Sequence, residues 1–433
     1  MMSDSQYKPV LLRNRGVAEV RKLAVYRERG GYKVLEKALK SEPAAIVDQV
    51  RQSGLLGRGG AGFPTGLKWT FLPQGRTKTY LCVNADEAEP GTFCNRVQME
   101  SDPHQVLEGI IISAYAVRAQ RAYVYIRYEY PQQAAALESA IGEAREAGLL
   151  GRNILGSGFE LEVHLFRNAG AYICGEETGL LESLEGKRPW PRIKPPYPAI
   201  RGLAGEPTII NNVETLTCVL HIVDRGADWF RSLGTERSPG PKLFCVSGHV
   251  KSPGVFERPL GVNLKTLIYE CAGGVREDRS IKAVIPGGIS TGFLTADEID
   301  VPMAFESFTR EKNGCLGMGT GAVVVLDETT DMLKVLHNTA RFFSSESCGQ
   351  CTQCREGTGW MYKMARRMLA GGGRSEDLDI IAEQTERMGM MTGQSICGLS
   401  DGASYPLRTL VTKFRAELEE RMEERKAKGL AVA

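Results

Sequence analysis

The 433-residue chain has no run of about 18 apolar residues, so no segment is expected to span a membrane. Met1 to Arg29 is polar and charged and lacks an apolar stretch, so no secretory signal is expected. Neither sign of charge is in excess. A net charge of +2 gives no electrostatic case for nucleic acid or an anionic membrane surface. No internal repeat is found, and the length is that of two to four domains. Seven of the 11 cysteines (Cys82, Cys94, Cys174, Cys218, Cys245, Cys271, Cys315) are scattered and odd in number, which argues against a secreted disulfide framework and fits a reducing cytoplasm.

The other four cysteines form a pattern. Cys348, Cys351 and Cys354 stand at C-x₂-C-x₂-C spacing, and Cys397 follows in Ser395-Ile396-Cys397-Gly398-Leu399. Three close thiolates with a distant fourth suit a cubane iron–sulfur cluster. Zinc is the alternative, although structural zinc more often takes two separated C-x₂-C pairs. Buried free thiols are the plainer reading, against which stand the glycine and polar residues around the triplet.

Gly57, Gly59, Gly60, Gly62 and Gly66 crowd one stretch whose backbone N–H groups suit a phosphate, with Arg58 and Lys68 adding charge. It is neither G-x-G-x-x-G after a strand nor a P-loop, and a simple tight turn explains it as well. Phe63, Trp69 and Phe71 suit a flat ring or a core. A buried strand over 79–84 runs into Asn84, Asp86, Glu87 and Glu89, either a ligand site at a strand's C-terminal end or a solvated acidic turn. Helix 104–119, strand 122–127, helix 131–147 and strand 160–166 give the alternation of a parallel, doubly wound sheet. Tyr172, Gly175, Glu176 and Glu177 open a helix, the carboxylates serving as caps or as acceptors for sugar hydroxyls or an amide. Lys187 to Pro198 is a basic, proline-stiffened strap holding Lys194 and Tyr197, and Asn211, Asn212 and Thr215 begin another helix. From Lys242 short strands around a helix over 264–271 suggest a small α+β unit. Helices over 331–346, 355–370, 376–390 and 403–426 suggest a bundle holding the cysteine loops.

In this order, Gly-Arg-Gly-Gly-Ala-Gly-Phe-Pro-Thr-Gly-Leu-Lys-Trp, Asn-Ala-Asp-Glu-Ala-Glu-Pro-Gly, Gly-Ala-Tyr-Ile-Cys-Gly-Glu-Glu-Thr, Ile-Asn-Asn-Val-Glu-Thr and Ser-Cys-Gly-x-Cys-x-x-Cys-Arg-Glu-Gly closely resemble the NADH-binding flavoprotein subunit of bacterial respiratory complex I, over nearly the whole chain. The resemblance implies an α/β fold: a Rossmann-like FMN- and NADH-binding domain, a ubiquitin-like β-grasp (SLBB) domain, and a C-terminal helical bundle carrying an iron–sulfur cluster. The expected divisions are an N-terminal segment over 1–65, then 66–240, 241–330 and 331–433. It implies FMN near Arg58, Gly59, Gly60, Lys68, Asn84, Asp86, Glu87, Tyr172, Gly175, Glu176, Glu177, Asn211, Asn212 and Thr215. NADH would meet Phe63, Phe71, Glu89, Glu177, Lys194 and Tyr197, the last standing where a phenylalanine is expected. Cys348, Cys351, Cys354 and Cys397 would hold one [4Fe-4S] cluster.

The implied activity is NADH dehydrogenase: hydride passes from NADH to FMN, and electrons then pass singly to the cluster and on toward quinone. Hydride transfer needs no side-chain acid or base, so no catalytic residue is expected. A thioredoxin-like [2Fe-2S] subunit and a larger iron–sulfur subunit are the implied partners, with the chain cytoplasmic and held at the inner face of the plasma membrane through them. The alternative is a diaphorase subunit of a soluble NAD-dependent formate dehydrogenase or hydrogenase. Such relatives often add cluster motifs at their ends, and none is seen here. A non-catalytic zinc scaffold would leave the glycine and acidic motifs idle.

Overall fold

The computed structural model describes residues 7–390 and 393–428. Four parallel strands, β1 (Tyr80–Ala85), β2 (Arg121–Arg127), β3 (Glu162–Asn168) and β4 (Thr208–Asn212), lie in the order β3-β2-β1-β4. Alternate side chains of β1 go to opposite faces. Leu81, Val83 and Ala85 enter a core with helices Pro103–Ala116 and Val213–Arg225. Tyr80 and Cys82 enter a second core with helix Glu177–Leu184 and the C-terminal helices. Both faces are therefore covered, which explains why β1 reads as a nearly continuous apolar run. The chain leaves β1 toward β2 and β3 on one side and places β4 on the other. The crevice beyond the C-terminal ends of β1 and β4 is thus the topological switch point, where open α/β sheets bind ligands.

The second sheet is mixed. Strands β5 (Pro241–Gly248), β6 (Gly254–Pro259), β7 (Ile281–Ile285), β8 (Leu294–Thr295) and β9 (Ala322–Asp327) run in the order β6-β5-β9-β7-β8, with only β5 and β9 parallel. The helix expected over 264–271 is wound more widely than an α-helix: Ala272 N–H donates to the carbonyl of Leu267, five residues back, at 3.0 Å. The last long helix is two helices, Leu399–Lys413 and Arg415–Ala427. The break comes at Phe414, whose φ of −115° leaves the helical range while its ring packs into the bundle core.

Residues 7–65 are not a separate unit. Glu257 of β6 accepts N–H groups from Val10, Leu11 and Leu12 at 2.8, 3.1 and 2.8 Å. Glu108, buried in helix Pro103–Ala116, accepts from the Tyr26 hydroxyl at 2.6 Å and from the backbone of Tyr32 and Leu35. Val10 to Leu55 share one core with the parallel sheet. A buried Lys242–Glu214 pair at 2.7 Å, neither side chain exposed, joins β5 to helix Val213–Arg225 and so joins the two sheets' domains.

Candidate functional site

A cavity of about 680 Å³ opens at the C-terminal ends of β1 and β4. One wall is the glycine stretch. Gly60 and Gly62 adopt φ of +119° and +66°, which disfavours other residues, and a Cβ at Gly62 would lie 2.7 Å from the Phe305 ring. Thr215 Oγ1 accepts the Arg58 N–H at 2.8 Å and pins this loop to helix Val213–Arg225.

The turn after β1 is not a solvated acidic turn. Asp86 is 6% exposed and Glu87 is buried. Glu87 accepts the N–H groups of Asn95 and Arg96 at 2.7 and 3.0 Å, capping helix Cys94–Ser101. Glu89 accepts from the Tyr172 hydroxyl at 2.7 Å and from Ser290 N–H at 2.7 Å, so it bridges three parts of the fold. Asn84 donates to the Gly175 carbonyl at 2.8 Å. Asp86 differs from its neighbours. Its Oδ2 is buried with no protein partner, and its Oδ1 meets only the Asn168 amide at 3.5 Å. Burial, against the pull of Arg127 and Asn168, pushes its carboxyl up to about 7.

Glu176 caps helix Glu177–Leu184, accepting from Thr178 and Gly179 N–H at 2.7 and 2.8 Å. Its other oxygen meets Lys194 at 3.0 Å. Glu177 lies between Lys68 at 2.7 Å and Lys194 at 2.9 Å. Burial acts to raise its carboxyl, but the two ammonium groups outweigh it and bring it down to about 2. Asn212 caps helix Val213–Arg225 and donates to Asn95 at 2.6 Å.

The cavity brings together Arg58, Gly59, Gly60, Asn84, Asp86, Glu87, Glu89, Tyr172, Gly175, Glu176 and Asn212 from among the expected residues. Others stand back from its lining. Lys68 donates to Glu177 and to the Ile210 carbonyl, Asn211 accepts from Trp69 Nε1, and Thr215 holds Arg58. The Arg58 guanidinium is buried, donating to the Pro239 carbonyl at 2.7 Å, while Nε and Nη1 have no protein partner. Phe63 and Phe71 are half-exposed with ring centroids 6.2 Å apart, and Tyr197 is 57% exposed. The far wall was not legible in the sequence. Ser290, Phe305, Leu316, Met318 and Thr320 come from the β-grasp domain, and Thr320 Oγ1 meets Thr92 Oγ1 at 2.6 Å.

Cys348, Cys351, Cys354 and Cys397 line one small pocket, together with Ser347, Ser395 and Ile396. All eleven cysteines are free of disulfides. Among the described residues no three or more His, Cys, Asp or Glu groups are placed for a single metal ion. Ile396 N–H points at Cys351 Sγ at 3.4 Å, Ser347 Oγ lies 3.4 Å from Cys354 Sγ, and Trp190 Nε1 donates to the Cys348 carbonyl at 3.0 Å. Cys397 and Leu399 line both this pocket and the large cavity, so one loop forms the wall between them.

The family profile of the Nuo51 FMN-binding domain matches residues 50–221, that of the SLBB domain residues 242–325, and that of the NADH-ubiquinone oxidoreductase-F iron-sulfur binding region residues 334–421. The chain is 52% identical to the second NADH-quinone oxidoreductase F-subunit of Rhizobium meliloti, over 97% of this chain and 99% of the relative. It is 47% identical to the NADH-quinone oxidoreductase F-subunit of Mycobacterium tuberculosis, over 94% of this chain and 92% of the relative. Among solved structures, a chain of an NAD⁺-reducing [NiFe]-hydrogenase in the H₂-reduced state superposes with a TM-score of 0.79 at 40% identity, over 90% of this chain. The present chain spans 64% of that hydrogenase chain's length. The air-oxidised form gives a TM-score of 0.79 at 37% identity, over 98% of this chain and 71% of the other.

Proposed function

The chain belongs to the family of NADH-quinone oxidoreductase F-subunits, and on that premise we propose how its residues divide the work of oxidising NADH. It is the NADH dehydrogenase flavoprotein subunit, working with FMN and one [4Fe-4S] cluster. FMN supplies two-electron acceptance of a hydride with one-electron release, and the cluster supplies a one-electron carrier.

The cavity fits FMN on its own chemistry: a glycine cradle and a buried Asp86 oxygen without a partner. Gly59 and Gly60 offer backbone to the flavin's phosphate and ribityl chain. Asn84, Asp86, Glu176 and Asn212 offer polar groups to its ring and hydroxyls. Glu87, Thr215 and Asn211 act behind them, holding helix and loop in place. Lys68, Glu177 and Lys194 form a charged edge that orients the nicotinamide amide and ribose, and Phe63, Phe71 and Tyr197 offer exposed rings to the adenine side. No side chain acts as an acid or base. Cys348, Cys351, Cys354 and Cys397 hold the cluster.

The observation that carries this reading is the shared wall: Cys397 borders both the flavin-sized cavity and the four-cysteine pocket. Electrons passing that wall need an external acceptor, and we assign this to a thioredoxin-like [2Fe-2S] subunit and a larger iron–sulfur subunit. Among the described residues no helix is long and apolar enough to cross a membrane. Attachment to the cytoplasmic face of the plasma membrane is therefore assigned to those partners. The soluble-diaphorase alternative is not favoured, because the quinone-oxidoreductase relatives match more closely and along nearly their whole length.

The test is the visible spectrum of anaerobically purified protein before and after NADH. Flavin bands over a broad iron–sulfur shoulder, both bleached by NADH, support the reading. A folded, colourless protein refutes it.

A further inference from the structure

The residue that ends helix Met332–Glu346 is out of place as a helix residue. An anion in the last turn meets the helix's negative end, and this turn holds no basic residue to offset it. Among the described residues Glu346 makes no ion pair; its one hydrogen bond goes elsewhere. Oε2 accepts the N–H of Tyr172 at 3.0 Å, 174 residues away in the chain. Tyr172 is the first residue of the turn Tyr172–Gly175, so its N–H has no partner within the turn, and Ala171 before it has no side chain able to cap it. Glu346 therefore caps this turn from another domain. The same helix end also grips the tyrosine ring. Phe342 and Phe343 meet that ring edge-on, at centroid distances of 5.2 and 6.3 Å.

Each side of the grip belongs to a different site. Tyr172 lines the large cavity. Glu346 is followed at once by Ser347 and Cys348, which line the four-cysteine pocket. Ser347 N–H donates to the Phe343 carbonyl at 3.0 Å, so the helix runs into the cysteine loop without slack. Ser347 Oγ in turn lies 3.4 Å from Cys354 Sγ.

We propose that Glu346 is a positioning residue for electron transfer between the two sites: by holding Tyr172 it sets the cavity wall and the start of the cysteine loop in one register. The inference rests on the cofactor reading above and adds a second tie across the wall, besides the loop of Cys397 and Leu399. The role depends on reach, not on charge. Glu346→Gln keeps the reach and loses the charge. Glu346→Asp keeps the charge, but its oxygens fall back by ~1.5 Å, which takes a 3.0 Å contact out of hydrogen-bond range. Both changes are small and lie at a partly exposed helix end, so both variants are expected to fold.

The test compares wild type, Glu346→Gln and Glu346→Asp as anaerobically purified holoprotein. Hydrogen exchange is read at the Tyr172 amide by fragmentation mass spectrometry, FMN affinity by fluorescence, and the dithionite-reduced cluster by its electron paramagnetic resonance spectrum. In Glu346→Asp the Tyr172 amide is expected to exchange ~10-fold faster and FMN to bind ~3- to 10-fold more weakly, with the cluster's g values shifted. Glu346→Gln is expected to match wild type in all three. Every other pattern overturns the proposal: an unmoved Glu346→Asp, a change at only one of the two sites, or an equal change in Glu346→Gln, which would make charge the cause. Wild type without flavin or cluster signals would fail the cofactor reading instead, and the Tyr172 exchange alone would then decide the tie.

Discussion

Asp86→Asn tests the site at its least satisfied atom. The Asp86 carboxyl stands at about 7 against an ordinary 3.8, a gap of about three pH units. At about 1.4 kcal/mol per pH unit, the upper bound on the coupled free energy is about 4 kcal/mol. Because the fold holds this proton more tightly than the unfolded chain does, the stabilisation is complete below pH about 4 and is lost as pH rises to about 7. Flavin-depleted protein is therefore expected to lose stability across that window, and Asp86→Asn to flatten the loss. Flavin binding reverses the preference. A ligand N–H given to Oδ2 favours the ionised carboxylate, so FMN affinity is expected to rise by up to ~10-fold per pH unit from about 5 to about 7, as the proton is released. The ligand's phosphate also titrates near pH ~6. The informative quantity is thus the difference between wild type and Asp86→Asn, in which the phosphate contribution cancels. Rebinding of FMN, followed by quenching of its fluorescence at several pH values, reads it directly. Parallel pH profiles for the two proteins would refute the reasoning.

Glu177→Gln leaves Lys68 and Lys194 without their shared carboxylate, and the apparent NADH affinity is expected to fall by ~5- to 30-fold, or about 1–2 kcal/mol; unchanged hydride transfer, NADH affinity and NAD⁺ release in stopped flow would remove its assigned role. In wild type this carboxylate stays ionised down to pH about 2, so its stabilising contribution is present above about 4.5 and is lost only as pH falls toward 2, which acid titration of the fold checks. Cys397→Ser is expected to remove the iron–sulfur shoulder and the bound iron while FMN stoichiometry persists, since the flavin groups lie on other elements; iron and flavin assays on one sample decide it. Lys242→Met leaves Glu214 charged, unpaired and wholly buried, and is expected to cost about 3–5 kcal/mol in chemical denaturation. Adding Glu214→Leu is expected to recover most of that loss.

What could be read in the sequence was what is local. The cysteine triplet, the glycine stretch and the acidic turn each lie within a dozen residues; the structure gathers the last two at one crevice and sets the triplet in a pocket that shares a wall with it. A ligand site at strand ends followed from strand–helix alternation, because apolar strands covered on both faces leave only their ends open, whereas the switch point needed the strand order. Charged side chains were harder to place. Lys68 and Arg58 read as phosphate-binding groups by proximity in sequence, yet Lys68 is committed to Glu177 and Ile210, and Arg58 to Pro239. A cation in a crowded site takes the acceptor that tertiary packing brings, and the order of residues does not show which one. The far wall was invisible for the same reason. Ser290, Met318 and Thr320 carry no motif, and they reach the cavity only because the β-grasp domain docks through the Lys242–Glu214 pair and Glu89.

In the sequence Glu176 and Glu177 stand equally as helix caps or as ligand groups, and the structure shows why that choice is a false one for Glu176 and for other polar groups of the site. Glu87, Glu176 and Asn212 each cap a helix with atoms of the same side chain that faces the cavity. A cap fixes a side chain in one rotamer against backbone N–H groups, at a stabilisation of about 1 kcal/mol. The site's polar groups are therefore held in position by folding itself, and little ordering is left for a ligand to impose. Glu89 is held similarly, between Tyr172 and Ser290. Asp86 has no such anchor for Oδ2, and its free oxygen is buried at a cost that the protein alone does not offset. In a cavity whose other acids are already satisfied, that is the acceptor left for an incoming N–H group.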